Sequence, residues 1–386
     1  MIIGLNGIDF SNGNLGCSAL AYSLISSLNK QCKNKKIKTK YIIFCFKYSE
    51  NEKNLLCSSL NINLSDIECI EIKLKSIKNI KQTIRYMKKC DFIVDMSGGD
   101  SFSDIYGLKR MVRECSYKLL AIINKIPLIL GPQTYGPYNL KISKILAKII
   151  LKKSTIVFSR DKKSSELIYE LSKINAIDTT DLAFRLPYTQ EKKFSKKSVG
   201  INISALMWNA GFNGKNQFEL KTNYKEYINK IISYIKQLED NEIYLISHVN
   251  GTGIEDDYKL CKDLAQKYNV NLAPKFKTPI EAKTFISKLD LLIGSRMHAT
   301  IGAFSSGVPT ISLAYSKKFE GLYKSIDYNY YIDAKKCNTE EAINLTKEYI
   351  DQSNQMKKSL ELSMKNVKEK LDIYDKKISD YIEGIR

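Results

Sequence analysis

Histidine is nearly missing from this chain. Of 386 residues only His248 and His298 carry an imidazole, and Trp208 is the one tryptophan. Nine cysteines are scattered at positions 17, 32, 45, 57, 69, 90, 115, 261 and 337, with no Cys-x-x-Cys pair among them. That pattern offers no zinc site of ordinary spacing, and no metal is expected. An odd count without clustering reads as reduced, mostly buried thiols, not as a disulfide framework. Long apolar runs are missing as well: nothing reaches the roughly 18 consecutive apolar residues of a membrane span. The opening MIIGLNGIDF lacks the basic stretch, apolar core and small-residue cleavage site of a signal peptide. It reads as a first strand and turn, and the expected setting is cytoplasmic.

Acidic residues are in short supply too. Lys and Arg number 61 against 41 Asp and Glu, a formal net charge of +20. The lysines are spread along the chain, with clusters such as KQCKNKKIKTK (30–40) and EKKFSKK (191–197) where surface loops are expected. No contiguous basic and aromatic motif is visible, so a solvated basic surface is the reading and no nucleic-acid partner is expected. The same charge is compatible with peripheral contact at an acidic membrane, on its inner face.

What the chain does have is alternation. Short apolar runs (MIIGLNGI, KYIIFCF, IECIEIK, DFIVDMSGG, IPLILGPQTYGP, TIVFSR) alternate with helical periodicity at 15–31, near 75–89, at 107–125 and at 161–173. This pattern favours parallel sheet covered on both faces. Polar DLAFRLPYTQEKKFSKK (181–197) reads as a junction, after which alternation restarts with SVGINISAL, EIYLISHVN, LLIGSRMH and VPTISLAYS. The expected fold is α/β, with two Rossmann-like domains facing a cleft. The first domain spans 1–187 and the second 198–337, with C-terminal helices over 338–386 packing across both. Ligands of such folds gather at the C-terminal ends of strands.

Several loops at those ends carry chemistry. In DMSGGDSFSDIYG (95–107), Gly98 and Gly99 permit positive φ or close backbone approach. Asp100 and Asp104 are placed to take a proton from a sugar hydroxyl, and would equally cap the next helix. LILGPQTYGP offers Gln133 in a polar loop, or simply a strand-to-helix connection. FSRDKKSS places Arg160 at a strand end, where its planar fork suits a carboxylate or phosphate, or an ion pair with adjacent Asp161. Trp208 in SALMWNA would stack on a sugar or pack between domains. His248 stands at a strand end beside Asn250 as a ligand-shaping or a structural residue.

GSRMHATIGAFSSGVP (294–309) is the sharpest feature. Arg296 and His298 flank Met297 where an apolar strand turns into a small-residue helix. Helix amides and guanidinium would there converge on an anion while imidazole moves a proton. A helix cap with an arginine ion pair and a buried histidine uses the same residues. Tyr315, Lys317 and Lys318 follow the next strand and offer a second anion contact.

In order, MSGGDSFSDIYG, GPQTYGP, SRDKKS with TTDLAF, and GSRMHATIGAFSSGVPTISLAYSKKFEGLY resemble the polysaccharide pyruvyltransferase family. The resemblance covers most of residues 1–325, and its last block is the most specific. It implies a two-domain fold similar to the B-type glycosyltransferases. The activity it implies is transfer of pyruvyl from phosphoenolpyruvate onto sugar hydroxyls, commonly closing a cyclic ketal, within cell-surface glycan synthesis. The family's arginine-apolar-histidine motif falls on Arg296, Met297 and His298, its first-domain arginine on Arg160, and its glycine block on Gly98 and Gly99. Many relatives have a third glycine where this chain has Asp100, which leaves room for a different acceptor or different donor chemistry.

The mechanism implied has Arg296, Arg160 and Lys317 or Lys318 on the donor's phosphate and carboxylate, with His298 protonating the methylene carbon. Asp100 or Asp104 receives the hydroxyl proton. Phosphoenolpyruvate is then a substrate and no cofactor is required. The acceptor is a sugar, nucleotide sugar or lipid-linked glycan. A nucleotide-sugar-dependent glycosyltransferase and a nonenzymatic carbohydrate-binding protein are the competing readings.

Overall fold

A computed structural model describes residues 1–72, 76–238, 240–251 and 253–385, with the side chain of Lys317 outside the description. It divides into two compact units, one of Met1–Ser11, Leu20–Leu182 and Lys368–Arg386, the other of Asn12–Ala19 and Ala183–Val367.

The strands of the first unit are β1 (Ile2–Asn6), β2 (Lys40–Cys45), β3 (Ile67–Glu71), β4 (Phe92–Asp95), β5 (Leu128–Gln133), β6 (Ile156–Ser159) and β7 (Ile177–Asp178). All pair in parallel in the order β3-β2-β1-β4-β5-β6-β7. Its helices are α1 (Leu15–Asn34, of which 15–19 count with the second unit), α2 (Glu50–Leu60), α3 (Ile77–Met87), α4 (Leu108–Ile123), α5 (Lys141–Lys153) and α6 (Lys162–Ser172).

The second unit has β8 (Lys197–Asn202), β9 (Asn241–Ile246), β10 (Asn271–Leu272), β11 (Leu291–Gly294), β12 (Thr310–Ala314) and β13 (Tyr331–Asp333). They too are all parallel, in the order β10-β9-β8-β11-β12-β13. Around them run α7 (Ala205–Trp208), α8 (Tyr224–Gln237), α9 (Asp257–Tyr268), α10 (Pro279–Ile286), α11 (Met297–Ser305), α12 (Lys317–Ser325), α13 (Thr339–Asp351) and α14 (Ser353–Gly384). The last of these passes to the first unit's residues at Lys368.

Each sheet therefore reverses its strand order beside its own first strand, the doubly wound arrangement whose ligands sit beyond the carboxyl ends of the strands. The α/β class and the Rossmann-like form of both units match the expectation. The composition of the strands explains the two-sided cover. Every residue of β4, β5, β11 and β12 is buried, which only a sheet walled on both faces can provide. At their carboxyl ends several strands turn polar: Asn6, Asp95, Gln133 and Ser159 in the first unit, Asn202 in the second.

Those polar ends are fastened from within. In the first unit the fully buried Lys118 of α4 stands 3.1 Å from Oδ1 of the equally buried Asp95. Ser97 donates to the same carboxylate at 2.6 Å, and Asn6 donates to its other oxygen. In the second unit Asn202 donates to the carbonyl of Ile246 and accepts from the amides of Ser295 and Arg296, at 3.3 and 2.9 Å. The turn after β11 is thereby tied to the end of β8.

Candidate functional site

The turn tied to Asn202 carries Arg296 and His298. Gly294 ends β11, Ser295 accepts a hydrogen bond from Tyr224, and Arg296 is the N-cap of α11 in an extended conformation. His298 is the second residue of the helix. Arg296 is buried, and burial works against its charge. Asp257, the first residue of α9, more than offsets this and raises the guanidinium pKa. The pair is bidentate: Nε donates to Oδ2 at 3.0 Å and Nη2 to Oδ1 at 2.8 Å. Asp257 also accepts the amides of Ala205 (2.8 Å) and Val249 (3.0 Å), so one carboxylate ties α7, the end of β9, α9 and α11 together.

This is the arginine ion pair that the sequence left open beside an anion contact. Two edges are committed to Asp257. Nη1 stands 3.9 Å from Glu255, and Tyr315 is hydrogen-bonded to the same guanidinium. Arg296 is first the clamp that orients the start of α11.

His298 meets a partner that sequence reasoning missed. Residues 12–19 fold onto the second unit: Leu15 donates to the carbonyl of His248 at 3.0 Å, Asn250 donates to that of Gly13 at 2.8 Å, and Asn14 pairs with Val249. Asn14 accepts the amide of Gly16 at 2.9 Å, opening α1. A Cβ built on Gly16 would lie 2.6 Å from Nδ1 of His298, so only glycine lets the helix start approach the imidazole this closely. One residue on, the Cys17 thiol is close enough to act electrostatically on Lys318 in the first turn of α12. Burial pushes the Lys318 ammonium down to about 8. The N-termini of α1, α11 and α12 thus gather at the carboxyl end of the second sheet, each a place where backbone amides favour negative charge. The N-cap side chains of α11 and α12, Arg296 and Ser316, make no capping hydrogen bond to their helices. SNGNLG (11–16), a glycine- and asparagine-rich turn after the first strand, was the available signal.

His248 belongs to the same place. It is 4% exposed, and neither ring nitrogen has a hydrogen-bond partner among the described residues. Burial, then the charges of His298 and Arg296, lower its pKa to about 3, so the ring is neutral at ordinary pH. A buried imidazole with both nitrogens unmet is costly unless a ligand or water satisfies it. Trp208, half-buried, packs on the second unit's core with Lys225 5.8 Å from its ring. Tyr315 packs edge-on against Phe218 and tilted against Phe319.

The residues singled out in the first unit form a different group. Ser97, Gly98 and Gly99 take a tight turn with φ of 42°, 59° and 87°, and Gly98 donates to Gly7 at 2.6 Å. A Cβ on Gly99 would stand 3.2 Å from Nη1 of Arg160. Arg160 is buried and its fork is occupied. Nε donates to Thr134 at 2.9 Å, and Nη1 meets Asp181, from TTDLAF, at 2.6 Å. Its ion-pair partner is therefore Asp181 and not Asp161, which instead caps α6 by accepting the amide of Ser164 at 2.8 Å.

Gln133 is fully buried and donates to the carbonyl of Asp95 at 3.3 Å, while its Oε1 has no hydrogen-bond partner among the described residues. Asp104 is engaged by the protein itself. Burial alone would raise its pKa, but the amides of Leu140 (2.9 Å) and Asn139 (2.7 Å) and the hydroxyl of Ser143 hold it below the usual range. A carboxylate so satisfied caps the approach to α5 and is a weak base. Asp100 is half-buried and accepts from Tyr106 at 2.8 Å, which keeps it the more accessible of the two.

A cavity lined by Tyr48, Glu50, Cys69, Glu71 and Gln82 opens beside β3 and contains none of these residues. Among the described residues no group of three or more His, Cys, Asp or Glu side chains is placed to hold a metal ion.

Comparison with known proteins follows this geometry. A family model described as polysaccharide pyruvyl transferase matches residues 14–317, from the cap of α1 to the first residue of α12. No curated protein matches the chain by sequence. Solved structures share the fold at low identity. The UDP-GlcNAc 2-epimerase of Neisseria meningitidis bound to UDP-GlcNAc has a TM-score of 0.58 at 14% identity, covering 96% of this chain and 99% of that one. HepE of Anabaena in complex with UDP-glucose gives 0.59 at 10%, covering 99% of each chain. A putative UDP-N-acetylglucosamine 2-epimerase of Listeria monocytogenes gives 0.57 at 12%, covering 93% and 90%.

Proposed function

The chain belongs to the polysaccharide pyruvyl transferase family, and from that premise we propose that it moves pyruvyl from phosphoenolpyruvate to sugar hydroxyls and closes a cyclic ketal in cell-surface glycan synthesis. The observation that carries the reading is that the start of α1 lies against the His298 imidazole of α11 at Gly16, while the next residue, Cys17, acts electrostatically on Lys318 in the first turn of α12. Phosphoenolpyruvate bears a phosphate and a carboxylate around one reactive carbon. Three helix N-termini and an ammonium suit that charge without any metal.

In this mechanism Lys318, the helix amides and Nη1 of Arg296 hold the two anionic groups. Tyr315 borders the same stretch, and the expected contact from Lys317 lies outside the described side chains. His298 gives its proton to the methylene carbon, which becomes a methyl group, and the adjacent carbon becomes electrophilic. A sugar hydroxyl bonds to that carbon and its proton returns to His298, acting now as base. Phosphate then leaves with its bonding electron pair, a second hydroxyl of the sugar takes its place, and that hydroxyl's proton leaves with phosphate. His248, neutral and with both nitrogens available, is a hydrogen-bond partner for the bound donor. In the first unit, Gly98, Gly99 and Asp100 are the group to test for recognition of the acceptor sugar.

The test is mass spectrometry of sugars, nucleotide sugars and lipid-linked glycans incubated with phosphoenolpyruvate. A pyruvyl ketal on at least one acceptor, with release of phosphate, is expected. H298A should lose about 10²–10⁴-fold in rate with its fold intact. Glycosyl transfer from UDP-sugars with no pyruvyl addition would replace this reading with a glycosyltransferase.

A further inference from the structure

Several exposed apolar residues of the first unit are concentrated on one helix and the residue before it. Leu140, Ile142, Ile145 and Ile149 are 44, 44, 54 and 44% exposed, and the last three lie on α5. At 3.6 residues per turn, positions 142, 145 and 149 fall within about 60° of one another around the helix. Lys144, Lys148 and Lys152 run alongside them on the adjoining arc. Every exposed position of α5 is isoleucine or lysine, and the helix contains no acidic residue. Its opposite arc, with Ser143, Ala147, Ile150 and Leu151, is the one buried in the unit.

The neighbouring α4 repeats the pattern. Leu108 and Val112 are each 41% exposed and Ile123 is 73% exposed. The charged residues exposed on that helix are Lys109, Arg110 and Arg113, while its one carboxylate, Glu114, is buried. Apolar side chains at this exposure cost free energy in water unless something covers them, and two neighbouring helices carry them among exposed charges that are basic only.

We propose that the outer face of α4 and α5 docks on an anionic lipid bilayer. Ile142, Ile145 and Ile149 would enter the headgroup boundary and the flanking lysines would meet lipid phosphate. The charge decides the occupant. A second copy of this chain, at net charge +20 and with the same lysines on the same face, would be repelled. An anionic lipid surface attracts both components at once. Among the described residues no helix is long and apolar enough to cross a membrane, so α5 lies along the surface.

Vesicle flotation of the full chain tests this. One vesicle set is phosphatidylcholine alone and the other contains roughly a quarter phosphatidylglycerol. The chain should float with the anionic vesicles only. The triple variant I142S/I145S/I149S should lose at least about tenfold in partition with an unchanged thermal melt. K144Q/K148Q/K152Q should lose a similar factor together with most of the salt dependence. K357Q/K358Q/K368Q, which removes equal charge from exposed positions of α14, should stay within about twofold of the parent. Three outcomes overturn the proposal: equal binding to neutral vesicles, equal loss in the α14 variant, or full binding by the isoleucine variant. A dimer seen by light scattering that the isoleucine variant dissociates would give the face to a second copy instead.

Discussion

Replacing Gly16 by alanine adds a single methyl group, and the structure says where it goes. The new Cβ would stand 2.6 Å from Nδ1 of His298 and 3.1 Å from Oδ1 of Asn14. Ordinary contact begins near 3.5 Å, so the imidazole must withdraw by about 0.9 Å. Gly16 has ordinary helical backbone, and alanine is the better helix former by up to about 1 kcal/mol. The imidazole is a mobile side-chain end, so relieving the overlap costs little. Stability of G16A should therefore match the parent to within about 1 kcal/mol. Activity should not. Displacing a proton donor by about 1 Å costs on the order of 10²-fold in rate, or about 2.7 kcal/mol of barrier. The chain has only two histidines, so proton NMR of the imidazole C2–H signals reads the geometry directly. G16A should move the His298 signal and leave that of His248 nearly in place. Unchanged turnover with a displaced His298 signal would refute the idea that this imidazole acts from this spot.

Two further outcomes follow from the same neighbourhood. D257N strands the buried Arg296 charge and should cost about 3–5 kcal/mol by denaturant unfolding, while the double variant D257N/R296M should be no worse than D257N alone; additive losses would refute the clamp. His248 is neutral in the fold down to about pH 3 but charges near 6.5 when unfolded, so the unfolded state binds the extra proton between those values. Stability should fall as pH drops below 6.5, by up to about 1.4 kcal/mol per unit from this group, and H248Q should flatten that slope in pH-dependent melts.

Much of the architecture was readable because burial on both faces leaves continuous apolar strands. LLIG, TISLA and LILGPQ announce themselves, and their ends point to the loops that carry Arg296, His298 and Arg160. Short edge elements were not readable: β13 hides in YNYYID, and α12 begins among lysines that look like loop. The larger gap is in partners. An arginine's environment depends on which distant carboxylate the fold delivers, and Asp257 and Asp181 lie 39 and 21 residues from theirs. Spacing put Asp161 beside Arg160, but Asp161 points to a helix cap. Gln133 shows a similar limit of local reading: its side-chain amide answers the buried carbonyl of Asp95, 38 residues away. Gly16 lay in a stretch that read as plain helix, because nothing local says that an imidazole from nearly 300 residues later will need the space.

The membership of residues 12–19 in the second unit, and of 368–386 in the first, bears on how the protein is made. Each unit includes a segment far in sequence from its bulk. The segment that confronts His298 is made well before the rest of the second unit. It then waits until the strands of the second sheet and the RMH turn have been synthesised. The first sheet, whose strands are complete by residue 178, still lacks the final helix that covers Phe158 and Phe92 with Tyr374 and Tyr381. Neither unit is one continuous stretch of chain, so neither is complete when its own strands have been made. The chemistry at His298 is assembled only once residues 12–19 and the strands of the second sheet have come together.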